Sequence, residues 1–283
     1  MVQVALITGG ASGMGLAVAD ALARRGDWNI HVLDLNDTAG AKAQKALGSC
    51  STFHKTNVND YASLSSVFDA IFRKENRIDF VFANAGIVER DNFYAKHDAS
   101  GPPPEPNQLS IDIDLKSVVS TTYLAQHYFR LSPSKGKGCK IVMTASCGGL
   151  YPSPFCPMYS AAKSGVIQLM RSVAKHFYLH DGIVAHAICP GTVRTNLLDS
   201  AGWSSFPEEY FTPVSKIVET VLMLVDGGDM VDAKGNKVTA AGNWGKAVEV
   251  NGTNHYFREQ PEWCDAAMEA VMKATDVEGL KGF

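Results

Sequence analysis

No apolar run in this 283-residue chain approaches the roughly 18 to 20 residues that a membrane helix requires. The first apolar segment is short and runs straight into glycines, so neither insertion nor export is expected, and the expected location is cytoplasmic. The six cysteines (Cys50, Cys139, Cys147, Cys156, Cys189, Cys264) are dispersed, without a C-x-x-C pair. That spacing argues against a disulfide framework or a zinc knuckle and fits free thiols in a reducing compartment. Net charge is only -3, with acids and bases interspersed, which leaves no footprint for nucleic acid or an anionic membrane surface. The short Lys135, Lys137, Lys140 cluster sits among glycines and reads as a solvated loop. His176 and His180 share a helix face but lack a third ligand, so no metal is assigned. Repeats and low-complexity tracts are also missing.

What is present is an alternation of Val- and Ile-rich runs with longer segments of helical period, the pattern of parallel strands joined by crossover helices. It predicts strands over 2–8, 29–34, 50–54, 78–83, 139–145, 183–189 and 247–251. Helices are expected notably over 13–25, 60–76, 106–131, 157–180 and 212–226. The strands are continuously apolar, as when helices cover both faces of a sheet. The expected fold is therefore α/β: a doubly wound, Rossmann-type, three-layer domain spanning 1–283, with its ligand crevice beyond the carboxyl ends of the strands. The proline-rich stretch 98–106 reads as a rigid loop or insertion, and the tail from about 252 to 283 as looser, with a helix near 261–274.

The segment Thr8-Gly9-Gly10-Ala11-Ser12-Gly13-Met14-Gly15 follows the first strand and opens a helix. Small residues there let backbone N–H groups approach an anion, and the helix N-terminus favours a pyrophosphate; a plain helix cap would look similar. The second strand ends at Asp34, about twenty residues on, where a carboxylate can accept hydrogen bonds from ribose hydroxyls and would repel a ribose phosphate. Neither Ser12 nor Leu35 is basic, so NAD is favoured over NADP, although Asp34 as a simple turn residue would leave that choice open. Asn57 and Val58 fall where the adenine would lie, and Asn84-Ala85-Gly86 would let backbone run along the cofactor; each also fits a plain turn.

Tyr159 and Lys163 are four apart on a predicted helix and so share a face. An ammonium beside a phenol favours the phenolate, drawing its pKa down from about 10 towards a general base's range. Ser146, at the end of the preceding strand, is placed to hold the substrate oxygen against that phenol while hydride moves between carbon and nicotinamide.

Taken with Pro190-Gly191-Thr192-Val193-Arg194-Thr195, these motifs resemble the short-chain dehydrogenase/reductase family from residue 2 to about 252. Within it the chain looks most similar to the 15-hydroxyprostaglandin dehydrogenase-like members. The resemblance implies a Rossmann-type fold with seven strands, Tyr159 as acid/base, Lys163 on the nicotinamide ribose and Ser146 orienting the carbonyl. It further implies that the 190–195 loop meets the nicotinamide carboxamide, through Pro190, Gly191 and chiefly Val193 and Thr195. One position departs from the family: Asp114 stands where it has an Asn that helps hold a water linked to the lysine. A carboxylate there would stabilise the Lys163 ammonium while partly cancelling its field at Tyr159, so a shifted pH optimum is expected.

Trp203, Phe206, Tyr210 and Phe211 lie in a stretch, about 194–213, expected to form a lid over the substrate, with Tyr151, Phe155 and Met158 completing the wall. Such walls suit an apolar or ring-bearing alcohol or ketone, though packing of the lid alone would also explain them. Apolar faces on the helices bearing Asp114 and Lys163 suggest a homodimer or homotetramer. Two other classes stay open: a nicotinamide-binding sensor or scaffold without turnover, and a lyase or isomerase that uses the nicotinamide transiently.

Overall fold

The computed structural model describes residues 2–98 and 101–276. Strands β1 (Gln3–Thr8), β2 (Trp28–Asp34), β3 (Ser51–Lys55), β4 (Phe80–Ala83), β5 (Lys140–Thr144), β6 (Val184–Pro190), β9 (Ala247–Asn251) and β10 (Asn254–Arg258) form one sheet in the order β3-β2-β1-β4-β5-β6-β9-β10. All pairings are parallel except β9 with β10. Strand β1 shows why the sequence carries no strict alternation. Val4 and Leu6 enter one core while Ala5 and Ile7 enter the other, all at most 1% exposed, so the strand has no wet face.

Helices α1 (Gly13–Arg25) and α2 (Asp37–Leu47) cover one face together with α6 (Val214–Asp226), contributing Leu22, Ala43 and Val221. On the opposite face lie α3 (Tyr61–Glu75), α4 (109–131) and α5 (Pro157–His176), contributing Phe68, Phe129 and Met170. Helix ends follow local chemistry: the Asp60 side chain accepts from the N–H groups of Ala62 and Ser63, and Asn76 takes the left-handed conformation that stops α3. Strand order reverses at β1, which has β2 on one side and β4 on the other, so a crevice opens above their carboxyl ends.

Several boundaries differ from expectation. The sheet has eight strands where seven were expected, because the tail turns back after Asn251 and pairs as β10. Asp232 helps to fix it: its carboxylate accepts from Phe257 N–H in β10 and from Lys234 and Asn236 in a small hairpin, β7 (Met230–Val231) with β8 (Lys237–Val238). That hairpin is too short for periodicity to reveal. Helix α4 begins at Leu109 rather than 106 and passes through a π-helical turn at Asp112–Lys116, and α5 is extended by another at Phe177–Asp181. The tail helix, α7, is Ala266–Lys273; part of the 98–106 stretch and all of 277–283 fall outside the described residues. Among the described residues no helix is long and apolar enough to cross a membrane, and no group of three or more His, Cys, Asp or Glu could hold a metal ion.

Candidate active site

The glycine turn after β1 is shaped by close backbone approach. Gly9 and Gly13 have φ of +62° and +53°, and a Cβ on Gly9 would sit 2.8 Å from Ala85 Cα. Gly15 does not line the crevice; a Cβ there would collide with the Gly9 carbonyl, so its role is to let α1 begin tightly against the turn. Ser12, the N-cap of α1, makes no side-chain cap, which leaves the first-turn amides without a side-chain acceptor at the point where Ser12, Gly13 and Met14 line the crevice.

Asn84 braces this turn: its Nδ2 donates to the carbonyls of Thr8 and Gly9, and its Oδ1 accepts from Thr144 Oγ1. Asp34 accepts from Ala11 N–H at 3.1 Å and Asn36 N–H at 3.0 Å, so the carboxylate both shapes the turn and stands at the cleft. Asn57 spends its side-chain oxygen on Asn59 N–H. It therefore faces the cleft as the start of a turn, beside Val58.

A cleft of about 300 Å³ brings together Gly9, Ser12, Gly13, Met14, Asp34, Leu35, Asn57, Val58, Asn84, Ala85, Gly86, Tyr159, Lys163 and Thr195. A second cavity of about 270 Å³ holds Ser146, Phe155, Pro190, Gly191, Val193, Trp203 and Phe206. Met14, Thr144, Tyr159, Thr195 and Leu197 line both, so Tyr159 stands on the shared wall. Lys163 is 2% exposed; its Nζ donates to the Thr144 carbonyl at 2.9 Å, lies 3.9 Å from Asp114 Oδ1 and 5.5 Å from the Tyr159 ring centre. Asp114 lines neither cavity. It is fully buried beneath Lys163, accepts from Ile87 N–H at 2.8 Å, and leaves Oδ2 without a partner.

A family model described as short chain dehydrogenase matches residues 3–203. The chain belongs to the short-chain dehydrogenase/reductase family. It is 51% identical over 279 residues to the short-chain dehydrogenase/reductase prx7 of Penicillium rubens, covering 95% of this chain and 98% of that protein. It is 32% identical over 204 residues to human 15-hydroxyprostaglandin dehydrogenase [NAD(+)], covering 70% of this chain and 71% of that one. Among solved structures, the 3-ketoacyl-(acyl-carrier-protein) reductase of Brucella melitensis complexed with NADH shares the fold, with a TM-score of 0.68 at 23% identity over 79% of this chain and 90% of that chain.

In this short-chain dehydrogenase/reductase the electrostatics differ from the sequence expectation at the phenol. Burial pushes the Tyr159 hydroxyl above its ordinary range; the Ser146 hydrogen bond opposes that, and Asp114 adds to the rise. Lys163 does not reverse it, because its ammonium is turned to the Thr144 carbonyl and Asp114 and is itself pulled down by burial. Burial raises Asp114 to about 6, against the pull of Lys163 and the Ile87 N–H.

Among the expected substrate residues, Tyr151 is misplaced. Its hydroxyl donates to Glu249 at 3.1 Å and its ring lies 5.6 Å from the Arg258 guanidinium, outside both cavities. Trp203 is 8% exposed and donates its indole N–H to the Thr195 carbonyl at 2.9 Å, while Phe211 packs on its ring and Tyr210 is exposed. Sequence reasoning missed Thr144, Leu197 and Glu89, whose roles come from contacts far apart in the chain.

Proposed function

We propose that this chain is an NAD-dependent oxidoreductase that interconverts a secondary alcohol and a ketone on an apolar or ring-bearing substrate. The observation that carries the reading is Tyr159 on the wall common to the glycine-lined cleft and an apolar cavity, with Ser146 beside it and Lys163 behind. The cleft fits the cofactor: glycines that admit no Cβ, uncapped α1 amides for the pyrophosphate, and Asp34 for the ribose hydroxyls. Lys163 is the sole cation among the described residues lining the cleft, and it lies at the reactive end, which favours NAD over NADP. Bound NAD supplies a hydride acceptor for the alcohol carbon, and NADH a donor to the ketone carbon.

The residues of the chain handle the proton and the alignment. The half-buried, protonated Tyr159 is in the form that gives a proton to a carbonyl oxygen, and the Ser146 hydroxyl is placed to hold that oxygen in line. In the oxidative direction the alcohol proton passes to the Tyr159 oxygen, so oxidation strengthens as pH rises through the phenol's titration. Lys163, held by the Thr144 carbonyl, would meet the nicotinamide ribose, and Pro190, Gly191, Val193 and Thr195 would hold the carboxamide end.

Trp203 and Phe206 form the substrate wall on a lid spanning about 194–213, pinned where the indole meets Thr195. The rest of the chain acts as a single domain around that site. Val119 and Tyr123, 44% and 65% exposed on α4, support a homodimer or homotetramer through that helix. The test is a spectrophotometric screen of apolar secondary alcohols with NAD and NADP in parallel, repeated with Tyr159→Phe. Turnover with NAD that is lost in the variant while NADH still binds is the expected result. Unchanged turnover in the variant, or no turnover by the wild type, sinks the reading.

A further inference from the structure

The loop that follows β4 carries a contact outside the roles assigned so far. Glu89 is 8% exposed, and its Oε2 accepts the backbone N–H of Tyr159 at 2.7 Å, across seventy residues of chain. Tyr159 is the third residue of α5, one of the positions whose amide has no partner inside the helix and is usually taken by the N-cap side chain. Here the N-cap is Cys156, which makes no cap bond, and Pro157 has no N–H to offer. Glu89 therefore caps the catalytic helix from another part of the fold, with the sign of charge that a helix N-terminus favours.

Two further facts separate this from ordinary capping. The second oxygen of Glu89 is enclosed without a hydrogen-bond partner, an arrangement that costs stability and that a local Ser or Asp cap would avoid. The same short loop is tied to the other catalytic helix, because Ile87 N–H donates to Asp114 at 2.8 Å, and Gly86 lies where a Cβ would touch both Asp114 and Lys163. Residues 84–89 thus run from the cofactor cleft to Asp114 on α4 and to Tyr159 on α5.

We infer that Glu89 is a positioning residue: by holding the backbone amide of Tyr159 it fixes the phenol relative to the loop on which the cofactor lies. This rests on the proposed role of Tyr159 in proton transfer. An error of about 1 Å in the position of a reacting group is worth roughly 100-fold in rate, so the effect belongs in kcat rather than in cofactor affinity.

The experiment compares wild type, Glu89→Ala and Glu89→Gln by NADH binding (fluorescence), by kcat and KM with an alcohol found in the screen, and by amide exchange at Tyr159. The glutamine keeps an acceptor oxygen and the alanine does not. Expected for Glu89→Ala are a kcat lower by roughly 10- to 100-fold, KM and NADH affinity within about 3-fold, and Tyr159 amide exchange at least about 10-fold faster. Glu89→Gln should restore kcat to within about 3-fold and slow the amide again. A wild-type kcat in Glu89→Ala overturns the inference, as does loss of NADH binding and melting temperature in step with kcat, which would mark a merely structural cap. If the wild type turns over none of the alcohols, the functional reading fails by itself; unaltered Tyr159 exchange in Glu89→Ala would then still overturn the positioning role.

Discussion

Replacing Asp114 by Asn tests the electrostatic reading of the proposed catalytic centre most directly. The carboxyl is fully buried, has one oxygen without a partner, and titrates near 6 instead of 3.8 even with the Lys163 ammonium 3.9 Å away. A carboxyl whose folded pKa is raised binds more protons folded than unfolded between those two values, so its contribution to stability falls as pH climbs from about 4 to about 6. At about 1.4 kcal/mol per unit, the full penalty is about 3 kcal/mol, of which about 2 develops between about pH 4.5 and about pH 7.5.

Asn imitates the protonated side chain at every pH, so Asp114→Asn should abolish that part of the pH dependence. Urea unfolding at the two pH values is the assay. The expected outcome is a variant that gains about 2 kcal/mol on the wild type between acid and neutral conditions. Activity should move as well, because the Asp114 charge adds to the rise at Tyr159; removing it shifts the rising limb of the oxidation profile to lower pH. Parallel stability curves for the two proteins, together with an unchanged pH–rate profile, would refute the reasoning.

Tyr159→Phe removes the proposed proton-transfer group and should lower kcat by at least about 100-fold while NADH affinity, measured by fluorescence, stays within about 3-fold. Asp34→Asn keeps the contour of the side chain beside Ala11 and Asn36 but discards the charge, so the ratio of kcat/KM for NAD over NADP should drop roughly 10-fold. Trp203→Ala breaks the indole bond to Thr195 and the contact with Phe211, and should raise KM for an apolar alcohol by about 10-fold or more with a smaller change in kcat. Gly86→Ala would drive a methyl to 2.8 Å from Asp114 Oδ1 and 3.3 Å from Lys163 Nζ, and should cost about 1–3 kcal/mol in urea unfolding as well as most of the turnover.

By itself the sequence determined what depends on neighbours in the chain. The period of the apolar residues set the order of strands and helices, the glycine turn announced itself between β1 and α1, and a four-residue spacing put Tyr159 and Lys163 on one helix face. Only the tertiary structure decided the rest. Whether Asp114 is wet or dry depends on what α4 packs against, and dryness is what raises it, just as the phenol of Tyr159 is raised first by its own desolvation. Tyr151 is as aromatic as Trp203, yet Glu249 and Arg258 on β9 and β10 draw it out of the cavity. The Glu89 bond to Tyr159 spans seventy residues and leaves no trace in local pattern. Hydrogen bonds and desolvation act through space over a few ångströms, and distance along the chain does not say which groups will be that close.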